Sequence, residues 1–371
     1  MAGHNAVRRL DGKPLLRRGV RQCALCIRGR SPLKGRPPAG VRRALKVART
    51  ASETLITIIG GSGFVGRHLV QALARRGYRM RVAVRRPDLA GYVQPLGTPG
   101  QIMPVQANVR YPDSLAAVCD GASVVINLTG VLYSAGAQSF DGIHVFGAEA
   151  SAKAARAAGA RQFFQMSALG ADPGSASEYA RSKAEGEARA RANFPGAIII
   201  RPSIVFGPED DFFNRFAAMA RFSPALPLIG GGMTKFQPVY CGDVAEGFAR
   251  LVDAGVASGT TFEFGGPEIL TFKEVLEFIL ATVERKRLLI PMPWPIAKMK
   301  ASVLGLLPKP LLTMDQVELL KNDNVVSDEA RREGRTLEGL GIVPRTIESV
   351  VPSYLYRYRR AGQFTAPGKL A

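Results

Sequence analysis

Between residues 54 and 203, short continuous apolar runs alternate with longer stretches whose apolar positions recur at helical spacing. Leu55, Ile56, Ile58 and Ile59 suit a strand buried on both faces, and Val65, Leu69, Val70 and Leu73 then predict a helix. Further strands are expected over 78–84, 101–109, 122–130, 161–168 and 196–203. Helices are expected over 111–121, 144–158 and from Tyr179 to about Ala192. This alternation predicts an α/β fold with a doubly wound parallel (Rossmann) sheet, whose ligands sit beyond the carboxyl ends of the strands. Past Phe206 the pattern loosens into Pro- and Gly-rich loops with short helices, the mark of a smaller C-terminal α/β lobe. The expected division is a nucleotide-binding domain over 51–270, lending loops at 207–240 to the lobe, a lobe over 271–345 and a basic-aromatic tail over 346–371. No internal repeat is evident.

The first strand runs into Gly60, Gly63 and Gly66, a G-x-x-G-x-x-G turn that opens the first helix. Gly60 allows the tight turn, Gly63 lets backbone approach a pyrophosphate, and Gly66 allows close helix–strand packing. The first helical residues, Phe64 and Val65 with Gly66, offer free N–H groups and the positive end of the helix dipole to a phosphate. The second strand ends near Val84, where an acidic residue commonly meets the ribose 2′-hydroxyl of NAD. This chain carries Arg85 and Arg86 there, a pair suited to a 2′-phosphate. NADP(H) is therefore the expected cofactor, with NAD(H) as the alternative. Asn108, Asn127, Thr129 and Ser167 fall at later strand ends.

Tyr179-Ala-Arg-Ser-Lys183 puts a phenol and an ammonium one helical turn apart on one face. A cation so near is expected to lower the phenol's pKa, fitting Tyr179 for proton transfer to or from a carbonyl or hydroxyl. Ser167, twelve residues earlier, is placed to hydrogen-bond the reacting oxygen.

The formal charge of +20 suggests a nucleic-acid partner until its distribution is considered. Residues 1–50 hold fourteen Lys/Arg against one acid, Asp11, which leaves about +7 for the rest. No aromatic-interleaved basic motif appears, and no nucleic acid is expected. The first fifty residues, rich in Arg, Pro and Gly, are expected to be a disordered basic tail, either a targeting segment or a product of a misassigned start. Cys23-Ala-Leu-Cys26 is a lone CxxC without a second pair, so no metal site is expected.

Together, the glycine turn, Ser167, Tyr179-x-x-x-Lys183, "RPSIVFGPED" and "FQPVYCGDVAEG" resemble extended or atypical short-chain dehydrogenases/reductases over about residues 54–345. The resemblance implies that Ser167, Tyr179 and Lys183 polarise a carbonyl and that Lys183 holds the nicotinamide ribose. It places Pro202 and the turn carrying Val205 beside the nicotinamide, and Asn108 and Val109 beside the adenine. Asn108 stands where that family most often has Asp.

"MSALGAD", "YARSKAEGE", "LLTMDQVELLKNDNVVS" and "LGI" carry a narrower resemblance, to the nucleotide-binding accessory subunits of respiratory complex I and their alphaproteobacterial relatives. Residues 311–327 are its most diagnostic part. What it implies is a retained NADPH and a structural role at the junction of the peripheral and membrane arms, near the quinone site. The partners would then be complex I subunits and a membrane surface, on the cytoplasmic face of a bacterial inner membrane or the matrix side of a mitochondrial one. The alternative is an active reductase, dehydrogenase or epimerase acting on a sugar nucleotide, sterol or quinone-related molecule. Residues 288–312, apolar with Lys298, Lys300 and Lys309 and no acids, fit a membrane interface. They equally fit a helix whose Ile296, Met299, Val303 and Leu306 enter the lobe's core.

Overall fold

The computed structural model describes residues 51–362 except 137, 256–258, 306–309, 311 and 361. The N-terminal basic segment with Cys23 and Cys26, Leu306, Lys309, Leu311 and residues 363–371 lie outside the described residues.

The alternation resolves into β1 (Leu55–Ile59), α1 (Phe64–Arg75), β2 (Arg79–Val84), β3 (Ile102–Gln106), α2 (Pro112–Cys119) and β4 (Val124–Asn127). After these come α3 (Phe146–Ala157), β5 (Gln162–Met166), α4 (Glu178–Asn193) and β6 (Ile198–Pro202). A single π turn, Asp141–Val145, leads into α3, so the helical segment begins earlier than its apolar spacing indicates. One strand went unforeseen: β11, Thr261–Phe264, closes a seven-stranded parallel sheet in the order β11-β6-β5-β4-β1-β2-β3. Its four residues follow a loosely patterned stretch, too short to show a period. The order reverses between β1 and β4, which opens a crevice above their carboxyl ends. Fully buried Ile56, Ile58, Leu69, Val70 and Leu73 pack one face of the sheet, and Val125, Phe163 and Ile199 fill the other.

The second lobe interleaves short elements from both sides of β11. Before it lie β7 (Val205–Phe206), α5 (Phe212–Phe222), β8 (Ala225–Ile229), β9 (Lys235–Phe236), β10 (Val239–Tyr240) and α6 (Cys241–Ala254). Beyond it lie β12 (Leu270–Thr271), α7 (Phe272–Thr282), β13 (Leu288–Met292), α8 (Trp294–Leu304), α9 (Met314–Leu319), α10 (Asp328–Arg332), α11 (Ile347–Val350) and α12 (Pro352–Leu355). Helix α6 returns to the nucleotide domain: Arg76 at the end of α1 bonds Glu246 at 2.6 Å and Asp253 at 2.7 Å. A second core gathers Phe206, Phe213, Leu226, Phe272, Leu276 and Ile279.

Two expectations change here. The stretch read as a tail from 346 contributes Ile347, Val351, Tyr354 and Leu355 to this second core, and the Tyr354 hydroxyl donates to buried Asp210 at 2.6 Å. Its dense Tyr and Arg disguise a four-position apolar spacing. In α8, the side chains that enter the core are Ala297 and Ala301, while Ile296, Met299 and Val303 are 44%, 64% and 66% exposed. Trp294, at the start of that helix, packs on the second core, while Ile296, Met299 and Val303 face outward. No helix among the described residues is long and apolar enough to cross a membrane.

Candidate dinucleotide-binding site

Residue by residue, the glycine turn separates structural need from room for a ligand. Gly60 has φ +79°, a left-handed conformation that favours glycine, and a Cβ there would press on Thr129 at 3.3 Å. At Gly66 a Cβ would stand 2.6 Å from the Gly61 backbone, so helix and turn could not meet. Gly63 differs. Its φ is an ordinary −71°, and an added Cβ would meet Gly60 O at 3.2 Å and nothing else within 4 Å. A Cβ at 63 would crowd one carbonyl oxygen of the turn and otherwise face open space, which a diphosphate lying on the turn would need. Gly63 caps α1 with no side-chain hydrogen bond, which leaves the helix dipole facing that space. Phe64 packs beside Gly207, and Val65 is buried in the core. The Tyr92 hydroxyl donates to Ser62 O, and the Arg67 guanidinium lies 5.1 Å over the Tyr92 ring. Both flank the turn, and neither stands out in the sequence.

At the end of β2 a pocket of about 240 Å³ is lined by Arg85, Gln106, Ala107, Asn108, Tyr111 and Ser114. The Asn108 carboxamide oxygen accepts from Arg110 N, and its backbone N–H and carbonyl both bond Ser114 Oγ at 3.1 Å. Only one arginine of the expected pair reaches this wall. Arg86 is held by Asp88 through bonds of 3.0 and 2.7 Å, a local partner two residues away. The Val109 side chain is buried against Gly147. On the other side of the crevice, Thr129 donates through N and Oγ1 to Asn127 Oδ1, and Asn127 donates to Gln165 at 2.9 Å. This buried amide pair fixes the loop after β4.

Ser167 follows β5. Its N–H donates to Ile200 O at 2.7 Å, and its hydroxyl is buried with no hydrogen-bond partner. An orphaned buried hydroxyl at a strand's carboxyl end is the kind of group a ligand satisfies. Pro202 is buried at the end of β6, and Val205 opens β7 against Val239.

Helix α4 carries Tyr179 and Lys183 into the crevice. Lys183 is buried, its Nζ 5.7 Å from the Tyr179 ring centroid and 3.1 Å from where a Cβ on Gly130 would be. Burial pushes its ammonium down to about 8, and Glu187, one turn on, pulls the other way. The expectation for Tyr179 is reversed: burial first, then the negative charge of Asp315, pushes its phenol up to about 12. Proximity of Lys183 in sequence does not outweigh desolvation and a nearby carboxylate. Between the two residues lies a chain that the sequence did not reveal. Val131 N donates to His144 Nε2 at 3.0 Å, His144 Nδ1 lies 2.9 Å from Ser182 Oγ, and Ser182 Oγ donates to Tyr179 O at 2.8 Å. That pattern leaves the imidazole proton on Nδ1. The only sequence trace is an isolated histidine amid an apolar helix start.

Asp315 was equally hidden. It comes from α9, about 136 residues beyond α4, and accepts from Glu178 N at 2.6 Å, Tyr179 N at 3.3 Å and Ser177 Oγ at 3.0 Å. Asn324 accepts through Oδ1 from Ser203 Oγ at 2.7 Å and Ile204 N at 3.2 Å, and donates to Leu169 O at 3.3 Å. Within the segment singled out at 311–327, Asp315 and Asn324 thus bond the first turn of α4, which carries Tyr179, and the loops that follow β5 and β6 beside Ser167 and Pro202. Among the described residues, no cluster of His, Cys, Asp or Glu could hold a metal ion.

The model of the NAD dependent epimerase/dehydratase family matches residues 56–265. A protein of Arabidopsis thaliana described as NADH dehydrogenase [ubiquinone] 1 alpha subcomplex subunit 9, mitochondrial, is 35% identical, covering 84% of this chain and 80% of its own. A ceramide reductase of Caulobacter vibrioides is 39% identical over 48% of this chain and 55% of its own. Among solved structures, a dTDP-glucose 4,6-dehydratase from Streptomyces venezuelae with NAD and TYD bound superposes at a TM-score of 0.63. It is 21% identical, covering 84% of this chain and 98% of its own, and so speaks for the fold.

Proposed function

Because the chain belongs to the NAD dependent epimerase/dehydratase family and, within it, to the accessory subunits of respiratory complex I, we propose that it holds a nicotinamide nucleotide as a structural ligand within a respiratory NADH–quinone oxidoreductase. The nucleotide is NADP(H), and the subunit sits peripherally at the junction with the membrane arm. Its side is the cytoplasmic face of a bacterial inner membrane, corresponding to the matrix side in a mitochondrion. The observation that carries this reading is the crossing of the site by residues 313–327. Asp315 and Asn324 bond the loops around the nicotinamide end, so the C-terminal lobe is built onto the cofactor site. A phenol held high at Tyr179 suits a ribose contact better than proton transfer at neutral pH.

The preference for NADP(H) rests on Arg85 at the wall of the adenine-side pocket. Contact with the membrane rests on α8, where outward Ile296, Met299 and Val303 share a short helix with Lys298 and Lys300. A second reading, an active reductase, draws on the orphaned hydroxyl of Ser167, which would suit a reacting oxygen.

Tyr179→Phe and Arg85→Ser together decide among these. Removing the Tyr179 hydroxyl costs a structural ligand about 0.5–1.5 kcal/mol, so complex assembly and quinone reduction should remain nearly unchanged. An active reductase would instead lose about 10²–10⁴-fold in turnover while the respiratory complex stayed whole. A metabolic defect with intact complex I would therefore overturn the subunit reading. Arg85→Ser should weaken NADPH by about 10-fold or more and leave NADH unaffected, as loss of a charge-assisted contact predicts. Equal losses for both nucleotides in calorimetric titration would refute the 2′-phosphate role.

A further inference from the structure

Residues 313–327 connect more than loops. Asp315, near the start of α9, holds the first turn of α4, the turn that carries Tyr179. Three residues later Glu318 receives Lys298 of α8 at 2.6 Å, and Lys321 at 2.6 Å. A continuous path therefore runs from the cofactor-facing helix through α9 to the helix whose apolar side faces outward. The middle of this path has little stability of its own. Six residues are too few for an isolated helix, so α9 depends on its attachments at both ends, on its Thr313 capping box and on buried Val317. Helix α8 fully buries only two alanines, Ala297 and Ala301, and beyond them it is held by Trp294 at its first position, which packs on the second core beside Gly230. Elements with so little apolar burial belong to the low end of local stability and respond to small changes in their anchors.

We propose that Asp315 is a positioning residue that couples occupancy of the dinucleotide site to the order of α8, the face assigned above to the membrane junction. The proposal rests on the reading that the site holds a nicotinamide nucleotide. A nucleotide that engages Tyr179 and Lys183 fixes α4, and a fixed α4 presents its N-terminal N–H groups to Asp315. With α9 so anchored, Glu318 retains Lys298 and α8 keeps its orientation. In the empty protein the first turn of α4 is freer, and the Asp315 attachment, followed by the Glu318–Lys298 pair, opens more often. Linkage makes the effect reciprocal: whatever holds α8 in place tightens the nucleotide by the same factor.

Hydrogen exchange on the full chain, with and without saturating NADPH, tests this. Binding itself is measured separately by calorimetry. In the wild type, NADPH should slow exchange in 60–67, as any occupant of the turn would. It should also slow 294–304 and 314–320 by about 5-fold or more, the lower end of ordinary coupling. In Asp315→Ala, NADPH should still bind and protect 60–67, but 294–304 should no longer respond, and Asp315→Glu should restore part of the response. Lys298→Met breaks the path at its far end without touching α4, and should leave 314–320 responsive while silencing 294–304. It carries the test if Asp315→Ala does not fold. A wild-type α8 indifferent to bound NADPH overturns the coupling alone, as does an α8 that responds equally in both variants. Failure of NADPH to bind the wild type would overturn the cofactor reading, and the coupling with it.

Discussion

At Gly63 and Gly66 the same residue type answers two different demands. A Cβ on Gly66 would meet backbone at 2.6 Å, so Gly66→Ala should destabilise the cofactor-free protein by about 1–3 kcal/mol, as overpacking does. Gly63→Val keeps an ordinary backbone conformation, crowds only the Gly60 carbonyl oxygen, and fills space that a ligand needs. Its unliganded melting temperature should fall much less than that of Gly66→Ala while NADPH affinity collapses. A variant at Gly63 that binds NADPH normally would show that the diphosphate lies elsewhere. His144 makes the second prediction at this scale. Burial, reinforced by the charge of Lys183, holds it down to about 2, against an ordinary value near 6.5. Below pH 6.5 the unfolded chain therefore binds a proton that the folded one refuses. Stability falls with acidification through that range, by up to about 1.4 kcal/mol per pH unit. His68 is also lowered and adds its own slope, so the informative comparison is between wild type and His144→Gln. Urea midpoints at pH 7, 6 and 5 should decline less in the variant, and parallel declines would contradict a buried neutral imidazole.

For whole elements, α8 shows how little composition says about facing. Its mixed Leu, Ile, Met and Lys content suited a core helix or an interfacial one, and its register against the lobe turns Ile296, Met299 and Val303 outward. The neighbouring strand β13 adds Leu288 and Ile290, 71% and 52% exposed, along an edge paired only with β8. If this face meets lipid, Met299→Asp with Val303→Asp should abolish co-sedimentation with anionic phospholipid vesicles. The melting temperature should hold, since neither side chain is buried. Unchanged vesicle binding would remove α8 from the membrane contact. Helix α4 illustrates the opposite case. Its Tyr-x-x-x-Lys spacing was legible because both partners lie within one turn, whereas the carboxylate over its first turn was not, because Asp315 arrives from another lobe.

Over the whole molecule, the two cores are joined through side chains that close large loops of sequence, Asp315 to α4 and Asn324 to Ser203 and Leu169, while Tyr354 to Asp210 closes the second lobe on itself. Ending the chain after Arg345 would strip Ile347, Val351, Tyr354 and Leu355 from the second core and leave Asp210 without its hydroxyl donor. Each such side chain contributes about 1.5–3 kcal/mol by burial, so the lobe should not survive the deletion. Limited proteolysis should then degrade residues from about 207 onward, and a protease-resistant lobe would contradict this account. Removing residues 1–46, by contrast, should leave melting temperature and nucleotide binding as they are.

Amino-acid order alone determined the parallel sheet, the glycine turn, the Tyr179–Lys183 face and the kinship, because each is written in neighbours a few residues apart. A strand's apolar run, a glycine spacing and a helical i, i+4 pair need no information from elsewhere in the chain. Only the tertiary structure decided that Tyr179 is held protonated, that Ile296, Met299 and Val303 face out, and that residues 347–355 belong to a core. Those outcomes depend on burial and on charges brought from distant segments, and desolvation and long-range contact leave no local period to read.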